Sequence, residues 1–193
     1  MKKILFNDKY LLTHAVLYGI KTMTRRLLKE GTPLGNWEET AKCLPYKVGD
    51  IVAIAQPYKD IIECMAEYSD IIINVDGSIN REYKAGWTNK MFVRGNLMPH
   101  HIRITDIKFE RLQDISKDDC LKEGIIFIES LSATGEDAYF FAVKHKVRQM
   151  YDNILKFFSS PQRAYAELID KISGRGTWKR NPWVVAYSFE LIK

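Results

Sequence analysis

Tyr18-Gly19-Ile20-Lys21-Thr22-Met23-Thr24-Arg25-Arg26 is the stretch from which the rest of this chain can be read. Upstream of it, Leu11, Leu12, Ala15, Val16 and Tyr18 recur with helical spacing after the cap-forming Asn7 and Asp8, which predicts a helix from about Asp8 to Tyr18. Gly19 falls just past the last periodic residue, where a left-handed turn favours a residue without a Cβ. From Thr22 the β-branched, alternating character predicts a strand, with Thr22, Thr24 and Arg26 on one face and Met23, Arg25 and Leu27 on the other. Lys21 has the wrong parity for the Thr24 face and joins it only if the Gly19 turn or a bulge re-aims it.

Taken alone, the stretch has a plain interpretation: Lys21 answers the exposed carbonyls at a helix C-terminus, and the two arginines are solvated surface charges. The pattern Gly19-x-Lys21-x-x-Thr24-x-Arg26, however, resembles the signature of the ASCH domain family, a branch of the PUA-like β-barrels. Later blocks come in the order of the longer, phage-associated ASCH proteins. These are Val48 to Val52, Arg103 to Gln113 leading to Ser116 and Glu123-Gly124, and a closing strand after Asn181-Pro182-Trp183. The resemblance implies an α+β fold built on a curved, mostly antiparallel barrel with flanking helices. It implies one ASCH/PUA-like domain over residues 1–193, with insertions around 30–46 and 125–160.

At 193 residues and 46% apolar content, one domain with a single core is the expectation. Lysine and arginine exceed aspartate and glutamate by 29 − 24 = 5, a basic balance that suits polyanionic partners. Cys43, Cys64 and Cys120 are odd in number and far apart, which argues against a disulfide framework or zinc cluster and for a reducing, cytoplasmic setting. No apolar run is long enough to span a bilayer, and the N-terminal residues lack the apolar core of a signal peptide.

Val48 to Ala55 reads as a strand ended by Gln56-Pro57, and Ile71 to Val75 with Ile79 to Tyr83 read as a hairpin around Asp76-Gly77. Ile102, Ile104, Ile107 and Phe109 alternate with a one-residue phase shift near Thr105-Asp106, which predicts a long strand interrupted by a bulge. Ser116 and Asp119 open a short helix that Gly124 stops, placing Glu123 at its end. A carboxylate there opposes the helix dipole, a poor choice for stability and so a candidate for function. Pro161 to Ile172 reads as a helix with Ala164, Leu168, Ile169 and Ile172 as its core stripe.

The segment Gly174-Arg175-Gly176-Thr177-Trp178-Lys179-Arg180-Asn181-Pro182-Trp183 interleaves cations with indoles, as a single-stranded nucleic-acid surface requires. A barrel plug is the alternative for its tryptophans, favoured for Trp183, with Trp178 open. The same division applies to Arg94, His100, His101 and Arg103, and the adjacent histidines are no metal site for want of a third ligand. Lys144, His145, Lys146 and Arg148 make a further basic patch.

The candidate ligand-binding residues are therefore Gly19, Arg25, Arg26, Arg103, Trp178, Lys179 and Arg180. Trp87, Trp178 or Tyr187 would stack a base while an arginine holds phosphate. The resemblance implies an RNA, nucleotide or nucleoside partner, with no metal or cofactor. Compact relatives cleave the amide of N4-acetylcytidine with a lysine, threonine and glutamate matched here by Lys21, Thr24 and Glu123, so an amidohydrolase is the alternative. A phage or mobile-element accessory acting through protein contacts is the third.

Overall fold

The chain is described by a computed structural model over residues 1–64, 71–128, 138–141 and 157–192. Five strands make one sheet in the order β1 (Lys3–Ile4), β3 (Ile51–Ile54), β4 (His101–Arg111), β7 (Trp183–Ile192) and β2 (Met23–Leu27). Every neighbouring pair is antiparallel except β1 with β3. A separate short ladder pairs β5 (Ile126–Ile128) with β6 (Ala138–Phe140). The expected bulge lies where the β4–β7 register slips between Ile104 and Asp106. It lets the partly buried Ile107 and Phe109 pack against the same core as the buried Ile102 and Ile104 despite the one-residue phase shift.

The fold is α+β on a mostly antiparallel sheet, and among the described residues no backbone ladder joins the edge strands β1 and β2. A side chain bridges them instead: Arg26 on β2 donates from Nη2 to the Leu5 carbonyl beside β1 at 2.6 Å. Ile4 and Phe6 from the β1 side then share one apolar core with Val184, Tyr187 and Phe189 of β7. The helix Pro161–Ser173, started by Ser160 capping the Arg163 N–H, adds Ala164, Tyr165, Leu168 and Ile169 to that core.

The helix expected from Asp8 to Tyr18 is broken in two, a 3₁₀ turn over Asp8–Tyr10 and an α-helix over Leu12–Leu17. Leu11 between them adopts a left-handed φ of 53°, a conformation a leucine resists, so the break is imposed by the packing of Tyr10 and Leu12 into the core. The hairpin expected around Asp76-Gly77 reduces to one bridge, Ile73 with Ile79, and Ile71–Ile72 are helical. Ile72 and Tyr83 are instead drawn into a second core with Tyr58, Val93 and Met98, against Ala53 of β3 and Ala55 just beyond it. That packing outcompetes a two-stranded arm with no face to bury.

Candidate functional site

Gly19 takes φ +72° and turns the chain out of the first helix, with the Lys21 N–H held by the Ala15 carbonyl and the Thr22 N–H by the Lys122 carbonyl. Lys21 therefore precedes the strand rather than belonging to it, and its parity does not apply. The turn sends its side chain inward: Lys21 is only 2% exposed, donating from Nζ to the Glu123 carbonyl at 2.8 Å and to Glu123 Oε2 at 2.5 Å. Glu123 is the C-cap of the helix Lys117–Lys122, which Ser116 starts by accepting from the Asp119 N–H. The carboxylate that opposes its own helix dipole is thus answered by a buried ammonium.

Arg25 completes an ion cluster beneath this pair. Its Nε donates to Glu110 Oε1 at 2.7 Å, Nη2 to Asp119 Oδ2 at 2.8 Å and Nη1 to Glu123 Oε1 at 3.3 Å. Lys108 reaches the other Glu110 oxygen at 2.6 Å from the surface. Burial alone would weaken the charge on Arg25, but Glu123 and Glu110 more than reverse this and hold it firmly protonated. Burial likewise pushes the Asp119 carboxyl up, and its hydrogen bond to Arg25 leaves it below the usual carboxylate range. For Lys21 burial wins: its pKa is lowered, Glu123 offsets only part of that, and Arg26 and Arg25 add to the lowering.

Lys21, Thr24, Arg26 and Glu123 line one small cavity of about 100 Å³, so a hundred positions of sequence separation close on a single place. Thr24 is buried, and among the described residues its hydroxyl makes no hydrogen bond. An ammonium has three N–H donors and Lys21 commits two to Glu123, which leaves one for the cavity. Tyr165, a residue that no sequence motif singles out, also lines the cavity, fully buried and with its hydroxyl unpartnered. It lies three and four positions before Leu168 and Ile169, so a tyrosine within an apolar helical stripe is the signal that could have found it.

The other candidate residues have different placements. Gly19 shapes the turn and does not line the cavity. Arg25 borders it, but its guanidinium is committed to three carboxylates and is not a free phosphate fork. Arg103 is exposed and pairs with Glu190 across the β4–β7 ladder at 3.1 Å. Trp178 is half-buried, with its ring edge-on to Tyr165 at 6.2 Å, while Lys179 and Arg180 are exposed on the helical turn Thr177–Arg180.

The aromatic alternatives are also placed. Trp183 is no core plug: it packs against Trp37 at 5.1 Å and under the Arg111 guanidinium at 4.6 Å, because its strand end lies at the sheet margin. Trp87 packs on the second core, and Tyr187 is buried rather than offered as an open stacking platform. His100 shares a hydrogen bond with Gln56, and among the described residues no cluster of His, Cys, Asp or Glu is arranged to hold a metal. Lys144, His145, Lys146 and Arg148 lie outside the described residues. No described helix is long and apolar enough to cross a membrane.

No protein-family model matches the sequence, and the comparison with curated proteins gives no match. Among solved structures the chain is similar to the high-resolution crystal structure of an ASCH domain from Lactobacillus crispatus JV V101. The likeness covers 96% of this chain and 75% of that one, at 12% identity and a TM-score of 0.36.

Proposed function

We propose that this protein binds a small ligand of the nucleoside or nucleotide class in the Lys21–Glu123 cavity, and engages RNA only through a single nucleotide placed there. The observation that carries this is the gathering of Lys21, Thr24, Arg26, Glu123 and Tyr165 around one cavity. A spare lysine donor, a free hydroxyl and a free phenol are convergent polar groups in an apolar frame of Leu12, Leu168 and Ile169, the composition of a small-molecule site. Arg103, Lys179 and Arg180 do not line it, which argues against a continuous strand-binding groove. The family resemblance of the Gly19–Arg26 signature supplies the ligand class.

Titration calorimetry with cytidine, cytidine monophosphate and a short single-stranded RNA tests this. Binding by the nucleotide should weaken with salt as counterions compete, and Lys21→Ala should reduce affinity at least about tenfold. A long RNA bound tightly with no response to Lys21→Ala would sink the pocket as the binding site.

One observation favours a second reading, amide hydrolysis: the unbonded Thr24 hydroxyl shares the cavity with a lysine whose pKa burial lowers. In that scheme neutral Lys21 takes the Thr24 proton as the oxygen adds to an acyl carbon. The C–N bond then breaks, the proton passes to the departing amine, and water hydrolyses the resulting ester. Cytidine released from N4-acetylcytidine, and lost in Thr24→Ala and Lys21→Ala alike, is the expected outcome. Release that survives both substitutions would reject the scheme.

A further inference from the structure

Arg26 lines a second, larger cavity of about 420 Å³ in addition to the first. Its outer wall is the connection after β2, Leu28 to Thr32, together with Cys43 to Tyr46, and β7 supplies its floor through Val185 and Tyr187. Two buried donors belong to these lining residues and have no acceptor: the Tyr187 hydroxyl and Arg26 Nε. Burial, with Tyr46 nearby, pushes the Tyr187 ionisation up, so the phenol keeps its proton and remains a donor. The Tyr46 hydroxyl is already spent on the Lys3 carbonyl at 2.8 Å, and Arg26 Nη2 on the Leu5 carbonyl. Native interiors rarely leave such donors unanswered, so a pair of them on residues that line one cavity points to an acceptor supplied from outside.

We propose that this second cavity is a subsite for a planar heteroaromatic ring bearing a ring carbonyl, which would accept from Tyr187 Oη and Arg26 Nε beside the apolar side chains of Leu44 and Val185. The shared Arg26 makes the two cavities neighbours, so one nucleoside-class ligand can place its ring here and its reacting or charged end beside Lys21. The inference deepens the nucleoside reading, on which the identity of the ring rests. It also accounts for the segment near residues 30–46, which builds the wall of a binding site that the strand pair β2–β7 alone leaves open.

Cys43 provides an internal reporter. It is an exposed free thiol on the cavity wall, Cys64 is an exposed thiol that does not line it, and Cys120 is buried. Iodoacetamide labelling of each cysteine, followed by peptide mass spectrometry with and without saturating uridine, tests the proposal. Uridine should slow labelling of Cys43 at least about fivefold and leave Cys64 unchanged, and Tyr187→Phe, which deletes only the hydroxyl, should abolish the protection.

Equal protection by indole, which has no carbonyl acceptor, or protection that survives Tyr187→Phe, would overturn it. Calorimetric uridine binding that depends on Lys21 but never protects Cys43 would overturn the subsite and leave the first cavity's reading standing. Protection that depends on Tyr187 but not on Lys21 would do the reverse. Neither binding nor protection would remove both.

Discussion

The Gly19–Arg26 segment and the Gly174–Trp183 segment look alike as strings: each follows a helix, opens with glycine and combines arginine, lysine and polar residues. The structure uses them oppositely. In the first, the turn after the helix drives Lys21 and Arg25 inward to meet Glu123, Glu110 and Asp119, all brought from β4 and the helix after it. In the second, Asp170 binds the Gly176 and Trp178 N–H groups at 2.9 and 2.7 Å, and Gln113 joins Trp178 and Asn181 to the end of β4. The loop is clamped by polar side chains of the helix before it and of the turn after β4, while its cations are exposed. Whether a charge is functional depends less on its neighbours in sequence than on whether opposite charges reach it from elsewhere in the fold.

The largest expected effect breaks the comparison at Arg25. Removing its charge takes away the one cation that Glu110, Asp119 and Glu123 share, and losing one partner of a buried ion pair costs about 3–5 kcal/mol. Arg25→Met should show a loss of that size in urea unfolding, whereas Arg103→Ala, which removes an exposed pair with Glu190, should change stability by less than about 1 kcal/mol. Similar losses in the two variants would mean that the buried cluster and the surface pair are not different in kind.

A smaller effect concerns the coupling of Lys21 to Glu123. In a double-mutant cycle with Lys21→Met and Glu123→Gln, the double variant should lose less than the sum of the single losses, by about 0.5–3 kcal/mol. The pH dependence carries a sign. The folded pKa of Lys21 lies below 10.5 because burial penalises its charge, so between that folded value and 10.5 the unfolded chain binds more protons. Stability from this group therefore rises with pH through that window. The buried tyrosines Tyr165 and Tyr187, whose ionisation is pushed up, oppose that rise as pH approaches and passes 10, where the unfolded chain loses their protons first and their contribution to stability falls. Subtracting the Lys21→Met profile from the parent's isolates the lysine: the difference should climb with pH, and a difference that falls would mean that Glu123 holds the ammonium more firmly than burial weakens it.

Much of the framework was legible because local rules sufficed. The Ser116 and Ser160 caps, the bulge near Thr105-Asp106 and the turn at Gly19 are each written in a few adjacent residues. The gathering of Lys21, Thr24 and Glu123 could be anticipated only from the resemblance of Gly19–Arg26 to a family signature, since no periodicity links position 21 to position 123. What could not be read was burial of charge: Arg25 and Arg26 are adjacent and identical, yet one is sealed among carboxylates and the other bridges the sheet edges and borders several cavities. The Asp76-Gly77 hairpin failed for a related reason, because turn chemistry is local while Ile72 and Tyr83 answer to the second core. Tyr165 and the second cavity are products of packing between segments far apart in sequence.

Tyr165 gives the smallest expected effect on stability and the sharpest test of what the buried segment is for. Its ring is anchored on both sides, by the core around Leu168 and by Trp178 of the clamped loop, so the two compared segments meet through this one side chain. The residue lines the same cavity as Lys21 and Thr24, its hydroxyl has no partner, and burial, with the Glu123 carboxylate close by, pushes its ionisation well up so that it stays a neutral donor. A buried hydroxyl without a hydrogen bond adds nothing to the folded state and can cost about 1–3 kcal/mol of desolvation, so Tyr165→Phe should leave urea stability unchanged or raise it slightly. If that donor is held for a ligand, the same substitution should weaken nucleoside binding about tenfold with the fold intact. A protein made less stable by Tyr165→Phe would show that the hydroxyl already has a structural partner; one with unchanged stability and unchanged affinity would show that the cavity's ligand never reaches the tyrosine, and the pocket would then contract to Lys21, Thr24 and Glu123.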